Sequence, residues 1–221
     1  MIYSATKLAY KQYSDTDLIA RIIEGDHPLY EIIVRRYNPY LYKIGRTYGF
    51  NHEDTEDLMQ NTYLNAFYSI QQFKNKATFK TWITRIMLNQ CYQSRLTMNK
   101  KGITNSAYSP DQFEQSKPEN ESAMDEGSMI RKELGHLIET AINQLPDPYK
   151  IVFTLRELNQ HTVAETAELL SITESNVKVR LNRAKAMIKA NLYSKYGPEN
   201  VFEFNEVYCD RIVTRVLDKI L

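Results

Sequence analysis

The sequence is poor in cysteine, glycine and proline, with two cysteines, seven glycines and seven prolines in 221 residues. Cys91 and Cys209 lie far apart and have no second cysteine or clustered histidine beside them, so neither a disulfide framework nor a zinc site is predicted. We expect both to be passive core thiols in a reducing cytosol. The scarcity of glycine and proline, together with apolar residues repeating at helical spacing, predicts an all-α protein.

Long apolar runs and an excess of one charge are also missing. No run approaches the roughly 20 residues of a membrane span, and the N-terminus lacks a signal-peptide pattern, so we expect a cytoplasmic protein without membrane insertion. The net charge is +1, so any affinity for nucleic acid must come from local clusters. The four histidines are dispersed, no glycine-rich phosphate loop occurs, and Glu56 and Asp57 have no nucleophile or metal-ligand spacing nearby. These absences argue against an enzyme, a metal site or a cofactor.

Residues 145–189 have the layout of a helix-turn-helix. Thr162 and Glu165 form a T-x-x-E capping box that starts one helix, and Thr173 is placed to cap a second helix after a three-residue turn. The second helix contains a single acid, Glu174. Its cations are Lys178, Arg180, Arg183, Lys185 and Lys189. A solvated basic helix has the same charge pattern, but two capped helices with a short turn favour DNA binding.

The apolar residues of this second helix determine which face is free. They are Val177, Leu181, Ala184 and Ile188. At helical spacing these side chains are expected to pack against Ala167, Leu170 and Ile172 of the first helix. The positions left facing outward are Lys178, Val179, Asn182, Arg183 and Lys185. That face combines cations with side chains suited to base edges.

The N-terminal part predicts four amphipathic helices. Ser14 should cap the first and Gly25 should end it. Pro28 suits the first turn of the second, and Pro39 is expected to kink or break that helix. A third helix contains apolar residues from 58 to 70, and the fourth spans 79–95.

Charge is distributed unevenly along these helices. Residues 53–57 include four acids at a helix start, where the macrodipole favours them. Residues 74–101 contain seven cations and no acid, with Phe79 and Trp82 among them. Cations interleaved with aromatics are typical of surfaces that bind single-stranded nucleic acid. An amphipathic helix that buries its aromatic face gives the same pattern, and for Trp82 and Ile83 we favour that interpretation.

Residues 97–130 differ in composition from the rest of the chain. They contain Gly102, Pro110, Pro118 and Gly127, many polar residues, and six acids against three bases. This composition predicts a flexible linker. It divides the chain into a domain at 1–96 and a smaller one at 131–197, followed by an amphipathic helical extension at 198–221. For the extension, packing on the second domain is favoured over docking of another protein.

Several motifs, taken in order, resemble those of a known family. Gly25-Asp26, then the acidic stretch 56–60, then 79–86 with Asn89, are similar to region 2 of the extracytoplasmic-function (ECF) sigma factors of the sigma-70 family. Leu145-Pro146, residues 152–158 and the helix-turn-helix resemble region 4. The resemblance covers most of residues 14–190. It implies an all-α protein in which a four-helix region 2 and a region 4 helix-turn-helix are joined by the linker.

The resemblance also implies a function without catalysis by this chain. Members of the family bind core RNA polymerase, direct it to promoters through the −10 and −35 elements, and help to open the DNA. Positions of the family that bind polymerase correspond here to Glu53, Asp54, Glu56, Asp57 and Gln60. Those that bind the −10 strand and its flipped base correspond to Ser69, Phe73, Lys74, Lys76, Lys80, Arg85, Ile86 and Asn89. Those that read the −35 duplex correspond to Lys178, Val179, Asn182 and Arg183, and Ser175, Asn176 and Lys185 are expected to hold its phosphates.

Two positions depart from the family pattern. Asn61 stands where a glutamate commonly follows the glutamine, and Ser171 occupies a turn position where glycine or asparagine often adopts a left-handed backbone. The family is often restrained by an anti-sigma factor, although no residue here identifies one. A stand-alone helix-turn-helix regulator, with the N-terminal half as a sensing domain, is the alternative function. It would bind duplex DNA without polymerase.

Overall fold

The computed structural model describes residues 13–100 and 126–195, together with Arg215 and Leu217. All regular secondary structure in these ranges is helical, which confirms the all-α prediction. None of the described helices is long and apolar enough to cross a membrane.

The described helices form two lobes. The first lobe contains α1 (Asp15–Ile23), α2 (Tyr30–Thr47), α3 (His52–Tyr68) and α4 (Phe79–Lys100), with 3-10 turns at His27–Leu29 and Ile70–Gln72. The second lobe contains α5 (Glu126–Asn143), α6 (Asp147–Phe153), α7 (Val163–Leu170) and α8 (Glu174–Lys195). A π-helical turn at Thr154–Leu158 continues α6.

The first lobe is built around apolar side chains from all four of its helices. Ser14 accepts a hydrogen bond from the Asp17 backbone N–H and caps α1, and Gly25 follows that helix with φ +110°, as the sequence predicted. The fully buried side chains include Leu18, Ile33, Leu41, Ile44, Ile83 and Met87. Cys91 is buried as predicted, and burial raises the pKa of its thiol to about 12, so it is unreactive at neutral pH. Cys209 lies outside the described residues.

Pro39 does not break its helix, since α2 runs without interruption from Tyr30 to Thr47, a total of 18 residues, and the predicted kink stays a prediction. Proline has no backbone N–H, so α2 lacks one helical hydrogen bond at Pro39. The Tyr63 hydroxyl of α3 lies 3.0 Å from the Val34 carbonyl oxygen and 2.9 Å from Asn38 Oδ1. Tyr63 therefore joins α2 to α3 beside Pro39, a contact that the sequence of α2 alone did not predict.

The two lobes are in direct contact. Leu155 of the second lobe is fully buried in the apolar core of the first, and Ile151 and Leu169 pack against that core. The Thr47 and Thr154 hydroxyls lie 2.9 Å apart at the same boundary, and both residues are buried. Leu155 thus joins the second lobe to the core of the first, which composition alone did not predict.

The predicted domain boundaries remain a proposal. α4 extends to Lys100 and α5 begins at Glu126, so helical structure enters both ends of the predicted linker at 97–130. Residues 101–125 lie outside the described residues. The predicted extension at 198–221 also lies outside them, except for Arg215 and Leu217, which are helical.

Candidate nucleic-acid interface

The helix-turn-helix is formed by α7 and α8 with the capping that the sequence predicted. Thr162 accepts a hydrogen bond from the Glu165 N–H, and the Glu165 carboxylate accepts one from the Thr162 N–H, which completes the capping box. The Thr173 hydroxyl accepts a hydrogen bond from the Asn176 N–H at 3.2 Å and caps α8. Both helix starts are therefore fixed by local hydrogen bonds.

The turn between the two helices places a serine in the left-handed backbone region. Ser171 has φ 53° and ψ 45°, and its N–H bonds to the carbonyls at the end of α7. A side chain at this conformation costs free energy that glycine avoids.

We expect Ser171→Gly to raise the free energy of unfolding by about 1 kcal/mol, because glycine adopts this backbone without a Cβ penalty. The measurement is urea denaturation followed by circular dichroism, beside Ser175→Gly in the first turn of α8, which should be destabilising by up to about 0.5 kcal/mol. An equal loss of stability in both variants would contradict the expected effect at the turn.

The outer face of α8 has the exposure that its spacing predicts. Val177 and Ala184 are fully buried, and Val177, Leu181, Ala167, Leu170 and Ile172 share one small core. On the opposite side, Val179 is 45% exposed. The other exposed candidates on α8 are Ser175, Lys178, Asn182, Arg183 and Lys185. Asn176 is half-buried beside the N-cap. The candidate −35 residues thus lie on one side of a single helix, around its first three turns.

Two of these exposed cations have partners within the second lobe. Arg183 Nη1 lies 3.4 Å from the Tyr149 hydroxyl, and Lys185 Nζ lies 3.0 Å from the Glu157 carboxylate. Both pairs are solvent-exposed, so each contributes little to stability and is readily exchanged for a phosphate or a base edge.

Aromatic rings and polar side chains of α4 and of the segment before it form a second candidate surface. The rings of Phe73 and Trp82 lie 5.4 Å apart, and Phe79 packs edge-on against Phe73 beneath them. Ile86 and Asn89 follow Trp82 at helical spacing on the same side of α4, Ile86 half-buried and Asn89 exposed. This surface offers a stacking plane next to an amide that can donate and accept.

The cations predicted around this surface fall into two groups. Lys74 and Lys76 are exposed in the loop before α4, close in sequence to Phe73. Lys80 and Arg85 instead point towards the second lobe, where Lys80 bonds to the Asn159 carbonyl and Arg85 pairs with Glu168 at 2.6 Å. The Ser69 hydroxyl bonds back to the Asn65 carbonyl at the end of α3.

The acidic residues predicted to bind polymerase lie at the start of α3. The Asn51 side chain accepts a hydrogen bond from the Asp54 N–H and caps the helix. Glu53, Asp57 and Gln60 are exposed, and Glu56 pairs with His52 at 3.3 Å. The acids therefore stabilise the start of α3 through the helix dipole, and they also form a negatively charged surface.

Beside these acids, the structure shows an apolar groove that the sequence did not predict as a site. It has a volume of about 600 Å³ and runs between α2 and α3. Its lining residues are His27, Tyr30, Val34, Asn38, Glu56, Met59, Gln60, Tyr63, Leu64 and Phe67. Leu64 is 46% exposed. The sequence feature that could have indicated this groove is Leu64, an apolar residue one helical turn after Gln60 on the acidic side of α3.

A buried polar cluster lies where α4 meets the second lobe. The Thr81 hydroxyl donates to Glu165 at 2.6 Å, and the Thr84 hydroxyl lies 3.3 Å from His161 Nε2. Burial, and then the nearby Lys80 cation, lower the pKa of the His161 imidazole to about 4. Burial acts to raise the pKa of the Glu165 carboxyl, but hydrogen bonds from Thr81 and Thr162 lower it to about 2. At neutral pH, His161 is neutral and Glu165 is ionised.

Each of the two lobes matches a family model of known proteins. Residues 33–100 match the family model for sigma-70 region 2, and residues 135–188 match that for sigma-70 region 4. The chain is 28% identical over 188 residues to the ECF RNA polymerase sigma-E factor of Haemophilus influenzae, covering 81% of this chain and 95% of that protein. It is 24% identical over 180 residues to the sigma factor of the same name from Escherichia coli, covering 80% and 94%.

Solved structures share the fold. CnrH in complex with the cytosolic domain of CnrY matches with a TM-score of 0.57 and 21% identity, covering 80% of this chain and 96% of that one. RpoE in complex with the anti-sigma factor NepR from Bartonella quintana matches with a TM-score of 0.54 and 18% identity, covering 74% and 96%. Regions 2 and 4 together span more than half of the chain, and each match falls within one of its two lobes. The chain therefore belongs to the sigma-70 family of RNA polymerase sigma factors, in its ECF group.

Proposed function

We propose that this sigma factor binds core RNA polymerase through α3, reads a −35 duplex with α8, and holds an unpaired base of the −10 element on α4. The observation that carries the proposal is the outer face of α8, where cations, an amide and an apolar side chain are exposed above a buried apolar stripe. Such a face provides both phosphate contacts and base contacts. The match of residues 33–100 to region 2 supports this function over that of a stand-alone regulator.

For α8, we assign base contacts to four residues. Arg183 and Lys178 are suited to guanine edges, Asn182 to adenine, and Val179 to a thymine methyl group. Ser175, Asn176 and Lys185 lie at the ends of this face and are assigned to phosphates. The helix start is capped by Thr173, so its first turns are held in a defined position relative to α7.

For α4, we assign strand capture to the surface around Trp82. Unpairing a base costs a few kcal/mol, so a protein that helps melting must stabilise the extruded base by stacking and hydrogen bonds. Phe73 supplies an aromatic ring and Asn89 an exposed amide, with Ile86 between them on α4. Ser69 borders the same loop, and Lys74 and Lys76 supply nearby cations.

For α3, we assign docking on polymerase to the acids and the adjoining groove. Glu53, Asp54, Glu56, Asp57 and Gln60 give the charge, and the groove beside them gives apolar area. A basic amphipathic helix of the polymerase fits this combination. Because both solved relatives are complexes with a second protein, one of them an anti-sigma factor, we also propose that a protein partner restrains this chain.

The experiment is run-off transcription with core RNA polymerase on a promoter library, comparing wild type with two variants. Arg183→Ala should cost about 1 to 3 kcal/mol in promoter binding and relax the preference at one −35 position. Asn89→Ala should reduce promoter opening, measured by permanganate reactivity, while association with core stays unchanged.

The matched controls are Lys189→Ala on α8 and Asn65→Ala on α3, both exposed and outside the assigned faces. They should transcribe like wild type. Wild-type opening by Asn89→Ala on every promoter would remove the base-capture assignment. Failure of the wild-type chain to associate with core polymerase would overturn the proposed function itself.

A further inference from the structure

An apolar groove lies on the second lobe, along the last turns of α8. It has a volume of about 350 Å³. Its lining residues are Phe153 of α6 and Lys185, Ile188, Lys189, Leu192 and Tyr193 of α8. Among the described residues, no third helix lines this groove. It is therefore a concave apolar surface that the contact between α6 and α8 leaves uncovered.

The side chains of the groove differ from those of a solvated helix surface. Ile188 and Leu192 are half-buried and lie one helical turn apart. Tyr193 is 52% exposed, and Lys189 Nζ lies 5.4 Å from the centre of its ring. Apolar side chains that are grouped at a surface and bordered by polar ones are typical of a contact site. We therefore expect another segment to cover this groove.

The border of the groove is basic. Lys185 and Lys189 both line it, and α8 has no acid after Glu174. Lys185 Nζ already lies 3.0 Å from the Glu157 carboxylate of the neighbouring π-helical turn, so a carboxylate is a suitable partner at this border. A segment that is apolar on one side and acidic beside it would match the groove in both respects.

The extension at 198–221 has this composition. It begins with an acidic part, 199–210, which contains four acids and no base. These acids are Glu199, Glu203, Glu206 and Asp210. Apolar residues then recur at spacings of four, three and four, at Cys209, Val213, Val216 and Ile220. This spacing is typical of an amphipathic helix that binds in an apolar groove.

The two described residues of the extension agree with that pattern. Arg215 and Leu217 are both helical and both exposed, Leu217 by 43%. Helical periodicity places Val213, Val216 and Ile220 on a different side from Arg215, with Leu217 at the margin of the apolar stripe. A helix through these positions can therefore bury its stripe while Arg215 faces solvent.

The connection to α8 permits the extension to return along that helix. Gly197 and Pro198 follow α8 closely, and this pair is typical of a helix end and a turn. Two helices have the same rise of about 1.5 Å for each residue, so an antiparallel return brings residues 199–210 beside the last turns of α8. The acids of the extension then lie close to Lys185 and Lys189.

A second exposed apolar pair lies on α5 and is less suitable. Leu134 is 54% exposed and Ile138 is 39% exposed. Glu133 and Glu139 are their neighbours in sequence, so this face would repel the acidic part of the extension. Charge therefore favours the groove beside α8 over the face of α5.

We infer that the extension folds back as an amphipathic helix and fills the groove between α6 and α8. Its apolar stripe packs on Ile188 and Leu192, and its acids pair with the cations at the border. The inference does not depend on the proposed function, because it involves none of the residues assigned to bases. It gives the second lobe an additional helix and gives the extension a binding site within its own chain.

The test uses the native Cys209 of the extension as a probe. Cys91 is buried and its thiol is unreactive, so a short bismaleimide should link Cys209 to a single introduced cysteine. Ile188→Cys places that cysteine in the groove, and Ile138→Cys places it on α5. In dilute full-length protein we expect an intramolecular crosslink with Ile188→Cys and none with Ile138→Cys. Adding Cys209→Ser to the Ile188→Cys chain should abolish the product.

The other outcomes of crosslinking overturn the inference. A crosslink with Ile138→Cys alone shows that the extension lies on α5. Crosslinked dimers in place of the intramolecular product show that the groove binds a second copy of the chain. A crosslink with neither variant leaves the groove without this occupant.

The rate of Cys209 alkylation tests the docked state without a crosslink. Cys209 belongs to the apolar stripe, so a maleimide should modify it more slowly in wild type than in the urea-unfolded chain. Leu192→Asp should raise the rate by about tenfold or more, because it places a carboxylate in the groove. Lys189→Glu, an exposed position, should raise it severalfold at low salt, and Lys100→Glu on α4 is the control that should not. Equal rates in wild type, the groove variants and the unfolded chain overturn the inference.

Discussion

Gly45→Ala is expected to lower the free energy of unfolding of the first lobe by about 2 kcal/mol, because the gain in helix propensity is smaller than the cost of overpacking. A Cβ at Gly45 of α2 would lie 2.5 Å from Thr55 Cγ2 and 3.2 Å from Met87 Cε. Thr55 is fully buried and its hydroxyl donates to the Asn51 carbonyl at 2.6 Å, so it has little freedom to rotate away. Urea denaturation followed by circular dichroism measures the change.

The matched control is Gly135→Ala in α5. Nothing lies within 4 Å of a Cβ built on Gly135, and the residue is exposed. The substitution should therefore stabilise its helix by up to about 1 kcal/mol. A gain of stability in both alanine variants would contradict the close packing of α2 against α3 at Gly45.

The stability of the packed lobes is expected to fall by about 2 kcal/mol between pH 7 and pH 5, because of His161. Its pKa is about 4 in the folded chain, against 6.5 for a free imidazole. Between these values the unfolded chain binds a proton that the folded chain excludes, so stability rises with pH through this window. The charged groups around the ring are Lys80 from α4, Arg156 from the π-helical turn and Glu165 from α7.

Glu165 affects a different range of pH. Its pKa is lowered to about 2, so the stability it contributes is present above about 4.5 and is lost as the pH falls towards 2. The interval from pH 7 to pH 5 therefore isolates the histidine from this carboxylate.

Denaturation by urea at both pH values measures the loss for wild type and for His161→Gln. Glutamine keeps a polar group near Thr84 but does not titrate, so the variant should lose about 2 kcal/mol less than wild type over this interval. NMR titration of labelled histidines gives the pKa directly, with the His161 signal assigned from its absence in the variant. Equal pH dependence in wild type and variant contradicts a buried neutral imidazole.

Short-range patterns predicted the local structure well. Ser14, Thr162 and Thr173 cap the helices that they precede, because a cap is a hydrogen bond between residues three apart and needs no tertiary partner. The buried stripe of α8 at Val177 and Ala184 follows from helical periodicity for the same reason. The outward face of the helix-turn-helix was therefore predictable from sequence.

Local patterns were insufficient where residues distant in sequence contact a helix. Pro39 does not break α2, and Tyr63 of α3 bonds α2 beside the proline. The apolar groove beside α3 depends on how α2 and α3 cross, and no sequence spacing contains that angle. Lys80 and Arg85 lie on the helix that periodicity predicted, but periodicity did not indicate that they contact the second lobe.

The sequence by itself determined the helices, their caps, the helix-turn-helix and the clusters of charge, because each depends on neighbours within a few residues along the chain. Only the tertiary structure decided that Leu155 enters the core of the first lobe and that Glu165 and Glu168 face the cations of α4. The two ionic and hydrogen-bonded contacts, Thr81 with Glu165 and Arg85 with Glu168, join residues more than eighty positions apart. Their free energy depends on a relative position of the lobes that no local pattern encodes.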